Sequence, residues 1–455
     1  MAVQFPCSTV ERLKVLYRLL PGPDFSVGSA AELLGEDIAT TIDAITALVE
    51  LGALEPSGMS QSDLALGDSA TAVMLRYKST APPTRPFVLP ADDRETDALH
   101  RVLRRLLLHS TAVAVAIAPG EFRFADLGPL PVFADGAAAV GWFTAERESV
   151  LVAQRVAYAL RDLPMTWRFA EAAYPALELL RRHEDQFAVQ DLGATAADMF
   201  NHASAAVCYA RLGSSWNALG RYRDAVVAGR RAQVLAERHG HAWSRFTVHM
   251  VLGVARRGLR QYDQAFAEFY AAWEIDVSGS AATPVGYDTT PHTSFGLVAA
   301  EIALTHLAAG DAAAALAPAR QAVEHLARDP GRRRDTVWAR IVLGRVLTAV
   351  GQTADAIDVL DTALDALDWH VDLDYAARIK QERADAAAAH GDHEQAQRDR
   401  HDAIRLHDLA GHHDLADRIR HLLMASGTDT PNGADARDTG TDGSPESEAG
   451  FDDTR

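Results

Sequence analysis

Seven histidines crowd the end of the chain: His390, His393, His401, His407, His412, His413 and His421. Imidazole is a ready zinc ligand, so three or four of these rings converging could hold an ion. Their spacing contains no helical ligand pair with an adjacent base such as HExxH, and the two cysteines, Cys7 and Cys208, form no CxxC pair. The histidines therefore read as surface side chains on polar helix faces, with no metal and no cofactor expected. Cys208 sits in an apolar helical pattern and reads as a small packing residue. Nucleotide chemistry finds no foothold. There is no GxxxxGK[ST] and no GxGxxG after a strand, and "GRRRDT" at 331–336 lacks the glycine-rich turn that presents amides to phosphate. No Ser/His/Asp or Cys/His order has a strand-turn-helix context, and paired carboxylates are too common among 62 acidic residues to single out. No catalytic site is expected.

Charge bears on the partners. The 455 residues carry a formal net charge of -18 at pH 7, which repels a polyanion at long range unless a local basic face outweighs it. With 48% apolar residues the chain can bury a large core, and its length suggests about three domains of ordinary size. The longest apolar run, "AVAVAIAP" at 112–119, is too short to span a bilayer. The N-terminal "MAVQFPCSTVERLKV" has no basic region followed by an apolar stretch and a cleavage site, so the cytoplasm is the expected location.

The elements that must position any site come from a repeat. "GRYRDA" at 220 returns as "RQYDQA" at 260, "GDAAAA" at 310, "GQTADA" at 351 and "GDHEQA" at 391. Five residues after each start stands an alanine (Ala225, Ala265, Ala315, Ala356, Ala396), and seven further on another (Ala232, Ala272, Ala322, Ala363, Ala403). Seven residues before each start is again a small residue: Gly213, Gly253, Ala303, Gly344 and Ala384. Leu212, Leu252, Ile302 and Leu343 precede four of them. Small side chains at fixed places let helices approach closely, and glycine at four of the five turns suits a left-handed C-cap, with Arg260 the exception. The unit is a helical hairpin. The longer interval between 260 and 310 holds "VSGSAATPVGYDTTPHTS", 277–294, an inserted loop.

This pattern resembles the tetratricopeptide repeat (TPR), through Leu212, Gly213, Gly220, Tyr222, Ala225 and Ala232, and again through Leu252, Gly253, Tyr262, Ala265 and Ala272. The resemblance implies an α-solenoid over 200–425, about five repeats, whose concave face is lined by the first helix of each hairpin. Counting back from the turns puts Asn217, Met250, Arg257, Arg345, Arg378, Gln381 and Asp385 on that face. Arginines there suit a carboxylate or acidic peptide through forked, charge-assisted hydrogen bonds. The Lys/Asn pattern of the chaperone-binding carboxylate clamp is absent, since Ala210 and Ser214 occupy the corresponding places.

The N-terminal third reads differently. "VERLKVLYRLL" sets Val10, Leu13, Leu16, Tyr17 and Leu20 on one helical face, and Ile38, Ile42, Ile45 and Leu48 form the buried stripe of a third helix. Three short helices suggest a trihelical core over 8–80, with "LEP" at 54 and "AVMLRYKS" at 72–79 as paired strands of a wing. Its third helix would expose Thr40, Thr41, Asp43, Thr46 and Glu50, with Asp37 near its start, none of which neutralises a phosphate. Arg76 and Lys78 on the wing could touch a nucleic-acid backbone, but two cations beside these acids make a poor footprint, and nucleic acid is not the expected partner. A proline-rich linker (81–95) leads to a helical linker and capping region (96–199). The final stretch, 426–455, has one bulky apolar side chain, Phe451, and eight acidic residues against Arg437 and Arg455; it is expected to be a disordered acidic tail.

"LLPGPDFSVGSAAELLGEDIATTIDAITALVELGALEP" resembles the winged-helix segment after the ATPase of STAND-class (NB-ARC/TPR) bacterial transcriptional regulators. "VFADGAAAVGWFTAERESVLVAQRVA", 132–157, is similar to that family's linker before its TPR array, through Phe133, Ala139, Trp142, Glu146 and Leu151. The nucleotide-binding domain is missing, and the family's basic R-Y-R-x-H-D segment is reduced to "LRYKST". The expectation is an all-α chain, a winged-helix-like trihelical module followed by a TPR solenoid, acting as a non-catalytic adaptor or regulator that binds a protein or peptide partner without a membrane. The alternative is a DNA-binding transcriptional regulator acting through the winged helix.

Overall fold

Helices dominate the computed structural model, which describes residues 8–57, 74–80, 88–119, 123–275, 291–329, 332–369 and 372–426. Cys7, the start of the wing, residues 81–87 of the proline-rich linker, residues 277–290 of the expected inserted loop and nearly all of the acidic tail lie outside these residues, while 291–294, expected in that loop, open a helix instead. The chain divides into two units, one drawn mainly from residues up to Ser215 with 228–248, the other from 216–227, 249–277 and 290 onward.

The first unit begins with α1 (Thr9–Leu16), α2 (Val27–Leu34) and α3 (Ile38–Glu50). Ser8, Ser26 and Asp37 cap them, each side chain accepting an N–H three residues on. Strands β1 (Phe25–Ser26), β2 (Leu54–Pro56) and β3 (Arg76–Ser79) form an antiparallel sheet in the order β1-β3-β2, with Phe25 and Pro56 both opposite Tyr77. The expected pairing of 54 with 76–79 is present; the added strand β1 falls where the sequence suggested only a turn. The stripe of α3 is displaced from the one expected. Thr41, Ala44, Ile45 and Leu48 are buried, Ile38 and Ile42 only half-buried. Thr41, expected at the surface, is enclosed because its hydroxyl donates to the Asp37 carbonyl at 2.7 Å, so it enters the interior without an unmet polar group. Next come α4 (Asp93–Ile117), α5 (Gly136–Ala159), α6 (Leu163–Leu179) and α7 (His183–Met199), with α4 packed on α2, α5 and α6, and α6 paired with α7.

The repeats are α8 (Ser204–Ala218) with α9 (Tyr222–His239), α10 (Ala242–Gly258) with α11 (Tyr262–Trp273), α12 (Pro291–Ala308) with α13 (Ala312–Leu326), α14 (Arg333–Ala349) with α15 (Thr353–Asp365), and α16 (Leu373–His390) with α17 (His393–Leu409). A last helix, α18 (His413–Ser426), packs on α17. All ten repeat alanines are at most 1% exposed. Their smallness has a visible cause: a Cβ added at Gly253 would stand 2.4 Å from Phe269, and one at Gly344 would stand 2.7 Å from Leu360. In the second unit the hairpins stack in sequence order, and first helices also touch, α12 on α14 and α14 on α16. This is an all-α, TPR-like solenoid.

The turn geometry runs further than the glycines indicated. Gly220, Gly310, Gly351 and Gly391 have positive φ, and so does Arg260 at 58°. Arg161, Arg181 and Asn201 adopt the same conformation, and the N–H after each bonds a carbonyl five residues back, as Gln261 does to Arg256 at 2.9 Å. The α6–α7 hairpin therefore closes like the repeats, with Arg181 in place of the turn glycine, and the turns before α6 and after α7 use Arg161 and Asn201 in the same way. No described helix is long and apolar enough to cross a membrane.

Candidate functional site

All seven predicted groove residues lie in the second unit on first helices, but they separate into two groups. Asn217 is 3% exposed and its amide donates to the Val251 carbonyl at 3.1 Å. Met250 is buried. Arg257 is 7% exposed and its Nη1 lies 2.6 Å from Oε2 of Glu301, itself 3% exposed. These three are interior. Helical counting gives the face of a residue but not its depth, and here neighbouring hairpins cover the face; Arg257 holds Glu301 instead of lining an open surface.

The other four do come together. Arg378, Gln381 and Asp385, with Glu382 between them, stand at i, i+3, i+4 and i+7 along α16 and form one stripe. Arg345 reaches it from α14, its Nε 3.0 Å and Nη2 2.5 Å from Oε1 of Glu382. Arg400 on α17 donates to Asp385 at 3.3 Å. Arg378 forms no ion pair with a described residue; its guanidinium lies 5.8 Å from the centre of the Tyr375 ring, and Arg334 lies 5.2 Å from the same centre. The stripe thus offers one cation committed only to an aromatic face, beside two guanidiniums that share carboxylates. Glu382 was missed from sequence because single acids are common in this chain, although its position on the 378-381-385 stripe marks it. The opposite side of α16 is structural: Lys380 and Arg383 hold the buried Asp399 at 2.9 and 2.7 Å.

In the first unit, the wing cation Arg76 is not available to a nucleic-acid backbone. It is 9% exposed and contacts Asp24 at 2.5 Å and Glu146 at 2.8 Å, with Glu146 at 1%. Burial opposes ionisation of Asp24, yet hydrogen bonds from Arg76 and Ser57 hold its carboxyl below the ordinary aspartate range. The pair joins β3 to α5, which explains an acid inside the apolar linker helix. Lys78 pairs with Glu55 at 3.2 Å across β2 and β3. One helical turn before Glu146 on α5, Trp142 stacks on His109 with ring centres 5.2 Å apart. Burial, and then the nearby Arg105, depress the His109 imidazole to about 4. Cys208 is buried and its thiol is pushed up to about 12, the inert state expected of a packing residue.

Five of the seven late histidines are exposed, but His407 and His412 are not. With Asp374 they place one donor atom each within 4.8 Å of one another. The expectation that all seven sit on polar surfaces fails for this pair, because the turn after α17 folds one ring onto the other.

No family model and no curated protein matches the chain. Similar solved structures include aspartyl phosphate phosphatase F from Bacillus subtilis, at 9% identity over 97% of this chain and 99% of that one, with a TM-score of 0.44. NprR in complex with its cognate peptide NprX is similar at 9% identity, covering 64% of this chain and 87% of that one, TM-score 0.42. YrrB, a TPR protein with an unusual peptide-binding site, is similar at 16% identity, covering 48% and 92%, TM-score 0.27. The TPR-like assignment of this chain rests on its own hairpins.

Proposed function

We propose that the chain is a non-catalytic TPR adaptor or regulator that binds a protein or peptide partner along the first-helix stripe of its C-terminal hairpins. Its module at 8–80 is winged-helix-like and passes the signal on, as the sensor half of STAND-class regulators does. The observation that carries this reading is the stripe of Arg378, Gln381, Glu382 and Asp385, flanked by Arg345, where one half-buried guanidinium has no carboxylate of its own. A carboxylate on an extended partner would complete it by a forked hydrogen bond. Direct DNA contact by the wing is disfavoured by the burial of Arg76 and by the exposed Asp43 and Glu50 on α3.

The test is fluorescence anisotropy of labelled acidic peptides against the whole protein. An Arg378→Glu/Arg345→Glu variant is expected to bind at least about tenfold more weakly, as loss of a charge-assisted contact implies, with affinity falling as salt rises. Equal binding by wild type and variant sinks the reading. An electrophoretic shift at low salt would restore the DNA alternative.

A further inference from the structure

The turn after α17 has Gly411 at φ 76°, and the His412 N–H donates to the His407 carbonyl at 2.8 Å. This closure brings together the side chains of the two bonded positions. After α8 the same positions hold Trp216 and Arg221, and the guanidinium sits 3.9 Å from the indole centre. After α17 both positions are histidine, with ring centres 6.1 Å apart. The first turn of α16 adds Asp374, whose Oδ1 is 3.3 Å from Nδ1 of His412.

We propose that Asp374, His407 and His412 form a binding site for one divalent transition-metal ion, zinc being the ion this donor set suits. Three observations support it. The donor atoms converge within 4.8 Å. All three residues are at least nine-tenths buried, at 9%, 2% and 8% exposed respectively. Among the described residues Nε2 of His412 has no hydrogen-bond partner and Nδ1 meets only the Asp374 carboxylate, at 3.3 Å, and a buried imidazole nitrogen left open in this way is unfavourable unless something occupies it. The 3.3 Å separation of His412 and Asp374 is the donor-to-donor edge, about 3.3 Å, of a tetrahedron with bonds near 2.0 Å. The remaining donor must move by at most about 1.5 Å, within reach of a turn about the broad Cβ–Cγ torsion of His407. Two imidazoles and a carboxylate leave one position for water or a further ligand. The ion ties the start of α16 to the turn between α17 and α18 and so clamps the last hairpin to the terminal helix.

The experiment uses the full chain, stripped with a chelator, dialysed and titrated with zinc against a chromogenic competitor, with elemental analysis of the loaded protein. Wild type is expected to hold one equivalent. Asp374→Asn and His412→Ala are each expected to weaken binding at least about tenfold, while His413→Ala and His421→Ala, both exposed neighbours, leave it unchanged. X-ray absorption on the loaded wild type, which does not depend on any variant folding, is expected to show two imidazoles and an oxygen donor. Zinc should also raise the thermal midpoint of wild type and not of Asp374→Asn. The proposal is overturned if wild type binds no stoichiometric zinc, if binding survives Asp374→Asn and His412→Ala but is lost with the exposed histidines, or if the absorption spectrum lacks paired imidazoles.

Discussion

Replacing Gly253 by alanine sets two effects of opposite sign against each other. Alanine in a helix interior is favoured over glycine by about 1 kcal/mol. The added Cβ, however, would lie 2.4, 2.6 and 2.8 Å from three ring carbons of Phe269, which is fully buried. Carbon atoms rest at about 3.5–4.0 Å, so the ring must withdraw by roughly 1 Å in a site with no space to receive it. Overpacking of this kind costs about 1–3 kcal/mol, and three contacts to a ring that cannot bend place the cost at the upper end. The net expectation is a loss of about 2 kcal/mol. Urea denaturation followed by far-ultraviolet circular dichroism measures it, with Gly253→Ala/Phe269→Leu as the partner variant. Because a smaller side chain makes room for the methyl, the pair should recover at least about 1 kcal/mol relative to additivity. Neutral or stabilising behaviour of Gly253→Ala, or strict additivity with Phe269→Leu, would refute the claim that the small residue exists to admit the ring.

Three further outcomes follow from the same structure. Arg260→Gly relieves a left-handed arginine at φ 58° and should stabilise by about 0.5–1 kcal/mol, whereas Gly351→Ala, with no atom near its added Cβ, should destabilise by about 1 kcal/mol through backbone strain alone; thermal midpoints of the two variants should move in opposite directions. Arg257→Ala takes the guanidinium away from the buried Glu301 carboxylate and is expected to cost about 3–5 kcal/mol, while Arg257→Met/Glu301→Leu should lie closer to wild type, as chemical denaturation will report. His109 is depressed from 6.5 to about 4, so the unfolded chain binds the extra proton first; stability held above pH 6.5 should decline as pH falls toward 4. In His109→Gln the urea midpoint should vary less between pH 7 and pH 5, and an unchanged slope would rule out this histidine as its source.

Much of the hairpin architecture was legible because its determinants are local. The alanines of the repeat and the glycines of its turns lie within one or two helices of each other, and the space each permits is set by its own size. At Arg260 the repeat was followed without a turn glycine because Tyr262, Ala265 and Ala272 still marked it; Arg161, Arg181 and Asn201 adopt the same backbone without such neighbours to announce it. On α3 the apolar residues pointed to an isoleucine stripe, and the structure chose one containing Thr41, because a hydroxyl bonded to its own helix can enter a core.

The sequence by itself determined that this chain is helical, that helices pair, and where small side chains must meet large ones, since periodicity and turn chemistry act over a few residues. Only the tertiary structure decided which charges are spent and which remain. Arg257 and Glu301 stand 44 residues apart, and Arg76 meets Asp24 across 52. Whether such groups neutralise each other or face a partner depends on how closely successive hairpins approach, and that distance is set by packing between surfaces that no local pattern encodes. The same holds for His407 and His412, whose meeting with Asp374 requires α16 to lie against the turn that closes α17.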